Sequence, residues 1–360
     1  MKIHKPRLSV IVPNYNHSRF LVKLLQNIMS QSFCPMEILV IDDGSTDNSV
    51  EVVMEFAKQN QLVQLFLNGE NRGVIYSANR GAELASGDYI YFAAADDLFL
   101  PGIFEESMSL LSRYPDAGLC SAIVEVQRQD GTSYPACIER ISSNECFLSP
   151  TDCLKLLRLH DSWMGGNSTI FQRAAYLKAG GLTPELGALS DVFLEMVIAL
   201  THGVCFVPNT LAVQSLADSS YSAVARADWT ASMNMYSEAA NLMRTTYREL
   251  FPTDYVNAWQ QRELHVVRLT TLKRIHMEEM GVIRSFFKDK SLIDRLFIFC
   301  INSVIQFHLF AIVTFLFLSL GKEFRRVIVR RVRVGFLRIR HMQKRNHMER
   351  IVSAKKNWST

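Results

Sequence analysis

Apolar positions along the chain alternate between two rhythms. Residues 8–14, LSVIVPN, form a β-branched run closed by Pro13 and Asn14, which predicts a short buried strand. Residues 19–31 then place Phe20, Leu21, Leu24, Leu25 and Ile28 at the three-and-four spacing of one helix face. A second strand is predicted at 37–41. The segment DDGSTDNS closes it and supplies Asp47 or Asn48 as N-cap for a helix carrying Val50, Val52, Val53 and Phe56. Residues 62–67 predict a third strand, 74–86 a helix and 88–94 a fourth strand. Strands and helices in alternation, with short loops, predict a mostly parallel α/β sheet whose binding crevice lies at the carboxyl ends of the strands.

The pattern is mixed from 118 to 225, with strands expected at 118–127 and 203–207 and helices near 151–159, 172–179 and 190–201. Met233, Tyr236, Ala240, Met243, Tyr247 and Leu250 then mark an amphipathic helix over 226–250, stopped at Pro252, and another helix is expected over 254–280. Residues 296–321 contain no Asp, Glu, Lys or Arg, and about 20 apolar residues suffice to cross a bilayer. Positive charge after Gly321 would hold the C-terminus on the cytoplasmic side, where the first domain is also expected, and one crossing cannot satisfy both ends. The expectation is therefore a re-entrant or interfacial segment followed by a basic amphipathic tail, with a buried helix or dimer contact as the alternative. The division expected is 1–225, 226–290, 291–321 and 322–360.

Composition sharpens this division. A hydrophobic content of 48% in 360 residues is ample for a real core. The net charge of +4 is uneven: residues 321–360 hold 13 Lys and Arg against Glu323 and Glu349. An acidic body with a basic tail points to an anionic partner surface for the tail, and nothing points to nucleic acid. The seven cysteines are scattered without a CxxC pair, which predicts buried structural thiols in a reducing compartment rather than a disulfide framework or zinc site. No signal peptide is recognisable before residue 8, so a cytoplasmic location is expected.

Three polar clusters sit at predicted strand ends: Pro13-Asn14-Tyr15-Asn16, Asp42-Asp43-Gly44-Ser45 and Asp96-Asp97. Ends of parallel strands converge on one crevice. A nucleotide diphosphate needs a flat partner for its base, acceptors for base N–H and ribose hydroxyls, and a divalent cation beside its phosphates. Tyr15 can stack, Asp43 can accept, and Asp96 with Asp97 can hold Mg²⁺ or Mn²⁺ through carboxylate oxygen. Turn and helix-cap roles for Asp42, Asp43 and Asp47 would explain any one cluster, but not all three together.

The segments LSVIVPNYN, EILVIDDGSTDNSV, NRGVIYSANRGAELASGDYIYF and AADDLFLP resemble, in order and spacing, those of family 2 glycosyltransferases, over roughly residues 7–215. The resemblance implies a GT-A nucleotide-diphospho-sugar transferase fold, a Rossmann-like mixed sheet flanked by helices. It also implies a nucleotide-sugar donor, a divalent metal and inversion at the anomeric carbon. On it, Pro13, Tyr15 and Asp43 fall on the base-binding positions and Asp96 and Asp97 on the metal and diphosphate positions, with Asp42 of the same strand-end cluster a further donor-binding candidate. Asn71 and Asn79 fall on polar positions where a loop or cap role competes with donor contact. Ala94-Ala95-Asp96-Asp97 stands where the family often has DxDD, so one carboxylate is missing.

WMGGNSTIFQRAAYLKAGGL and ELGALSDVFLEMVIALTHGVCFVP resemble the segment that carries the family's general base, usually written ED. Ser190 replaces the first acidic residue and Asp191 keeps the second, which makes Asp191 the expected base, with Glu195 in reserve. A carboxylate that merely counters the helix macrodipole is the competing reading. Trp163 and residues 165–167 are candidates for the acceptor pocket, with a core Trp and a turn as the equal alternative.

The function expected is transfer of a sugar, from a UDP-sugar by preference, to a sugar or lipid-linked acceptor in surface polysaccharide or glycolipid synthesis. It would take place on the inner face of the cytoplasmic membrane. A non-catalytic transferase-like scaffold and a nucleotidyltransferase are the alternatives, although the Gly-rich basic loop the latter needs is absent. An oxidoreductase is disfavoured because PNYNHS replaces GxGxxG after the first strand.

Overall fold

The computed structural model describes residues 6–94, 98–127, 133–135, 141–161, 164–215 and 228–272. Backbone contacts divide the chain into two units, Met1–Ala223 and Val224–Thr360.

The first unit is built on strand β1 (Leu8–Asn14), with β2 (Glu37–Asp42) and β4 (Tyr89–Phe92) parallel on either side and β3 (Val63–Leu67) parallel beyond β2. β1 and β2 are buried on both faces, which explains why each reads as an unbroken apolar run. Leu8, Val10 and Val12 pack on one face with Leu21, Leu24, Leu25 and Ile28 of helix α1 (Ser18–Met29). Helices α2 (Ser49–Gln59) and α4 (Ile103–Arg113) contribute Val53 and Ile103, Phe104, Met108, Leu110 and Leu111 to the same core. Helix α3 (Val74–Leu84) lies against β1 and β2, and Gly81 permits its close approach: a Cβ there would stand 2.3 Å from Ile11 Cγ2.

The sheet continues beyond β4 through β9 (Ile170–Gln172), β6 (Leu119–Gln127), β10 (Val204–Ser215) and β5 (Leu98–Phe99), with β7 (Ser133–Pro135) on β6 and β8 (Cys146–Leu148) on β10. β9 is antiparallel to both β4 and β6, whereas β6 and β10 are parallel, so the sheet is mixed. Helices α5 (Pro150–His160), α6 (Arg173–Lys178) and α7 (Ser190–His202) accompany this half. α7 buries nine of its thirteen residues, which accounts for the apolar run from Val192 to Leu200, interrupted by Glu195 alone.

In the second unit, α8 (Trp229–Arg244) and α9 (Thr253–Leu272) pack together, with Tyr236 and Trp259 edge to face at 5.9 Å. The helix expected over 226–250 ends earlier, at Arg244. Tyr247 N–H bonds Leu242 O, one residue beyond helical register, and Leu250 N–H bonds Tyr247 O. Thr245 and Thr246 are weak helix formers, so the apolar spacing continues through turns rather than helix. Among the described residues no helix is long and apolar enough to cross a membrane. The apolar segment 296–321 and the basic tail lie outside them.

Candidate active site

Register sets the geometry at the strand ends. Asn14 of β1 pairs with Asp42 of β2, which pairs with Leu67 of β3, so three chain reversals begin at one level of the sheet. Asp42 is buried and turned to its neighbours: Asn14 Nδ2 donates to its Oδ2 at 2.8 Å, Ser45 Oγ donates to the same oxygen at 2.7 Å, and Ser45 N–H reaches Oδ1 at 3.0 Å. Asn16, with φ of 57°, accepts the N–H groups of Thr46 and Asp47 on Oδ1 at 2.7 and 3.2 Å. Gly44, with φ of +75°, passes so close to Glu70 that a Cβ would lie 2.8 Å from its backbone.

Asp43 is equally buried and organises the loop after β3. Its Oδ1 accepts Asn68 Nδ2 at 2.6 Å and Arg72 N–H at 3.0 Å, and Oδ2 accepts Gly73 N–H at 2.7 Å. Three of its roughly four lone-pair sites are therefore taken internally, and the turn roles expected of the DDGS carboxylates are present in full. Pro13 is half-buried, and Tyr15, just beyond β1, is 40% exposed. Asn71 is exposed, and its Oδ1 caps Gly73 N–H at 3.1 Å. Asn14 Oδ1 is buried without a hydrogen-bond partner, an acceptor left over at this end of the sheet.

Arg72 was not among the expected site residues. Its guanidinium lies 3.7 Å over the Tyr76 ring, and Nη1 donates to Tyr76 Oη at 2.5 Å, so a cation is held in a fixed pose beside the Asp43 loop. The Arg of NRG at a strand end is the signal that could have found it. Asp96 and Asp97, which follow β4, lie outside the described residues, as does Trp163. Among the described residues no three His, Cys, Asp or Glu side chains gather as a metal would require. With the carboxylates of Asp42 and Asp43 engaged by their own loops, the strand ends described here do not by themselves fit a cation, and Asp96 and Asp97 would have to hold it.

Asp191 stands in the first turn of α7, exposed, with Oδ1 accepting Val192 N–H at 2.8 Å. Its other oxygen rests against Gly166, where a Cβ would be only 2.8 Å from Oδ2. Ser190, beside Asp191, accepts Thr183 N–H on its Oγ at 2.6 Å and so fixes the start of α7. Asn79 fills a structural role: Nδ2 donates to Leu182 O at 2.8 Å, and Oδ1 accepts Leu182 N–H and Tyr176 Oη at 2.9 and 2.7 Å. The segment bearing Gly166 is anchored to β4 by Tyr91 Oη, which donates to Asn167 O at 2.7 Å, and to β6 by Ser168 Oγ, which reaches Ala122 O at 2.9 Å. Glu195, one turn after Asp191, is fully buried, and burial first, then the Asp191 charge, push its carboxyl up to about 8 against a hydrogen bond from Thr169.

Residues 9–167 match Glycosyl transferase family 2. An uncharacterized glycosyltransferase of Escherichia coli, YibD, is 38% identical over 117 residues, covering 32% of this chain and 34% of its own. A Campylobacter jejuni protein, GalNAc(5)-diNAcBac-PP-undecaprenol beta-1,3-glucosyltransferase, is 36% identical over 104 residues, covering 29% and 34%. The chain thus spans about a third of each of these relatives. The fold is that of TarS 1-349 from S. aureus, whose crystal structure in complex with UDP-GlcNAc superposes with a TM-score of 0.57 over 83% of this chain and 87% of that one, at 14% identity.

Proposed function

We propose that the chain is an inverting glycosyltransferase that moves a sugar from a nucleoside-diphosphate donor, by preference a UDP-sugar, to an acceptor hydroxyl. The observation that carries this reading is Asp191, an exposed carboxylate at the start of α7, within a chain whose strand ends are those of a family 2 domain. In the proposed step Asp191 takes the proton of the acceptor hydroxyl, the acceptor oxygen forms its bond to the anomeric carbon, and the bond to the diphosphate breaks with its electron pair leaving on the diphosphate. Inversion follows because attack and departure occur on opposite faces.

On the donor side, Tyr15 stacks on the base beside Pro13. Asp43 offers its remaining lone pair to base or ribose, with Asp42 as the brace that holds the Asp43 loop and Asn71 at its rim. Mg²⁺ or Mn²⁺, held by Asp96 and Asp97, would supply Lewis-acid stabilisation of the leaving diphosphate. The C. jejuni relative, named for a lipid-linked acceptor, supports a sugar or lipid-linked acceptor here and a place in polysaccharide or glycolipid synthesis. The apolar segment 296–321 and the arginine-rich residues after it support attachment to an anionic membrane surface, on its cytoplasmic face. Release of UDP or GDP from a panel of nucleotide sugars, measured with and without candidate acceptors, tests the reading. No release from any donor would favour a non-catalytic scaffold.

A further inference from the structure

The buried carboxyl of Glu195 has no place in the chemistry set out above. Its Oε1 lies 2.5 Å from Thr169 Oγ1, and its Oε2 is buried without a hydrogen-bond partner. Thr169 Oγ1 also lies 3.1 Å from Gly165 O. A hydroxyl has one proton to give. Given to an ionised Glu195, it would leave the Gly165 contact without a hydrogen and Oε2 as a bare anionic oxygen in the interior, among the costliest groups to bury. A protonated Glu195 resolves both difficulties. Oε1–H donates to Thr169 Oγ1, the Thr169 hydroxyl donates to Gly165 O, and Oε2 becomes a neutral carbonyl oxygen whose isolation costs far less.

Two carboxyl groups one turn apart on α7 therefore meet the same short segment, Asp191 at Gly166 and Glu195 at Thr169. Gly165 packs closely on β6, where a Cβ would lie 2.4 Å from Val124 Cγ2, and Tyr91 and Ser168 tie the segment to the sheet. Among the described residues Asp191 supplies the one charge that bears on Glu195. α5, α6, β6 and the 3-10 turn Pro184–Leu189 with its Glu185 all pack on α7 and add no other charge that bears on Glu195.

We propose that Glu195 is a positioning residue for the transfer: a neutral carboxyl that fixes the 165–169 segment through Thr169, and so sets the aim of the Asp191 carboxylate that rests on it. This rests on Asp191 serving as the base. Ionisation of Glu195 would place a second anion beside Asp191 and release Thr169, so the positioning fails at alkaline pH.

The test compares the full-length chain with Glu195→Ala and Glu195→Gln. Loss of the side chain should lower kcat about tenfold or more, as small misplacements of a reacting group do, with donor KM within about twofold. Gln, which keeps a neutral donor and acceptor in place, should recover most of that loss and should lack the fall in kcat that the parent shows above about pH 8. Gln as inactive as Ala would overturn the proposal in favour of a carboxylate that itself moves the proton. Parental kcat and pH profile in Ala would overturn it as well. Should no donor be turned over at all, two readouts remain. The infrared difference between parent and Glu195→Gln near neutral pH should show the band of a protonated carboxylic acid. Amide exchange at Ser168 and Thr169 should quicken in Ala but not in Gln. Absence of either signal defeats the positioning role independently of the transfer reading, and if Ala does not fold, the pH profile and infrared signal of Gln still decide.

Discussion

The side-chain amide of Asn79 and the backbone of Leu182 are joined by a reciprocal pair of hydrogen bonds, 2.8 Å from Nδ2 to the carbonyl and 2.9 Å from the N–H to Oδ1. Asn79 belongs to α3, which packs on β1, and Leu182 leads into the turn before α7. The pair is thus a strut between the helix packed on β1 and the helix that carries Asp191. Asn79→Ala removes both bonds and strands Tyr176 Oη, a buried hydroxyl, without its acceptor. Thermal unfolding should show a loss of about 1–3 kcal/mol, and transfer should fall more than nucleotide affinity. Equal losses in both would mean that the strut serves stability alone.

The parallel block was legible because both faces of β1 and β2 are buried, so their apolar runs carry no competing periodicity, and the loops after them are polar enough to mark the ends. β9 and β5 escaped because strands of three and two residues have no pattern to detect, yet β9 sits between β4 and β6 and makes the sheet mixed. Candidate chemistry followed the same division. Asp42 and Asp43 were visible as strand-end carboxylates. That both are engaged by their own loops was not, because the engagement depends on the Asn14–Asp42 register and on Asn68, Arg72 and Gly73 folding back. The contact between Thr169 and Glu195 spans 26 residues and lies in no periodic stretch, so only the tertiary fold reveals it.

Replacement of Asp191 by Asn keeps the side chain's size and removes its basicity. Donor binding, measured by calorimetry, should be preserved, while transfer should drop by about 10² or more, the loss typical of a general base. Near-normal transfer by this variant would move the base elsewhere on α7.

On the proposal that Asp96 and Asp97 hold a cation, divalent metal should be required for tight donor binding, since the carboxylates of Asp42 and Asp43 are engaged by their own loops. Titration of UDP in Mn²⁺ and in chelator should give clearly different affinities, and Asp96→Ala or Asp97→Ala should weaken binding and turnover together. Equal affinity in chelator would count against the metal.

Residues 325–340 bring seven arginines, interleaved with Val327, Ile328, Val332, Val334, Phe336 and Leu337. Each basic residue near an anionic leaflet adds on the order of 1 kcal/mol. The full-length chain should float with vesicles containing phosphatidylserine, less so at high salt, and not with purely zwitterionic vesicles. Indifference to lipid charge would remove the electrostatic part of the proposal.

Asp47 joins the starts of two helices. Its Oδ1 accepts Ser49 N–H and Oγ at 3.0 and 2.5 Å at the head of α2, and its Oδ2 accepts Ser18 N–H at 3.0 Å at the head of α1. Burial acts to raise its carboxyl, but the hydrogen bonds from Ser49 and Ser18 outweigh burial and bring it down to about 2 from an ordinary 3.8. A folded-state value below the unfolded one means that the unfolded chain binds the proton first as pH falls. The stability Asp47 contributes is therefore complete above about pH 4 and disappears as pH drops towards 2. Asp47→Ala should lose about 1 kcal/mol or more at neutral pH, since two helix starts lose their cap together. The gap between parent and variant in denaturant midpoint should close between pH 4 and pH 2. A gap that persists unchanged to the acid end would assign the loss to packing rather than to the charged cap.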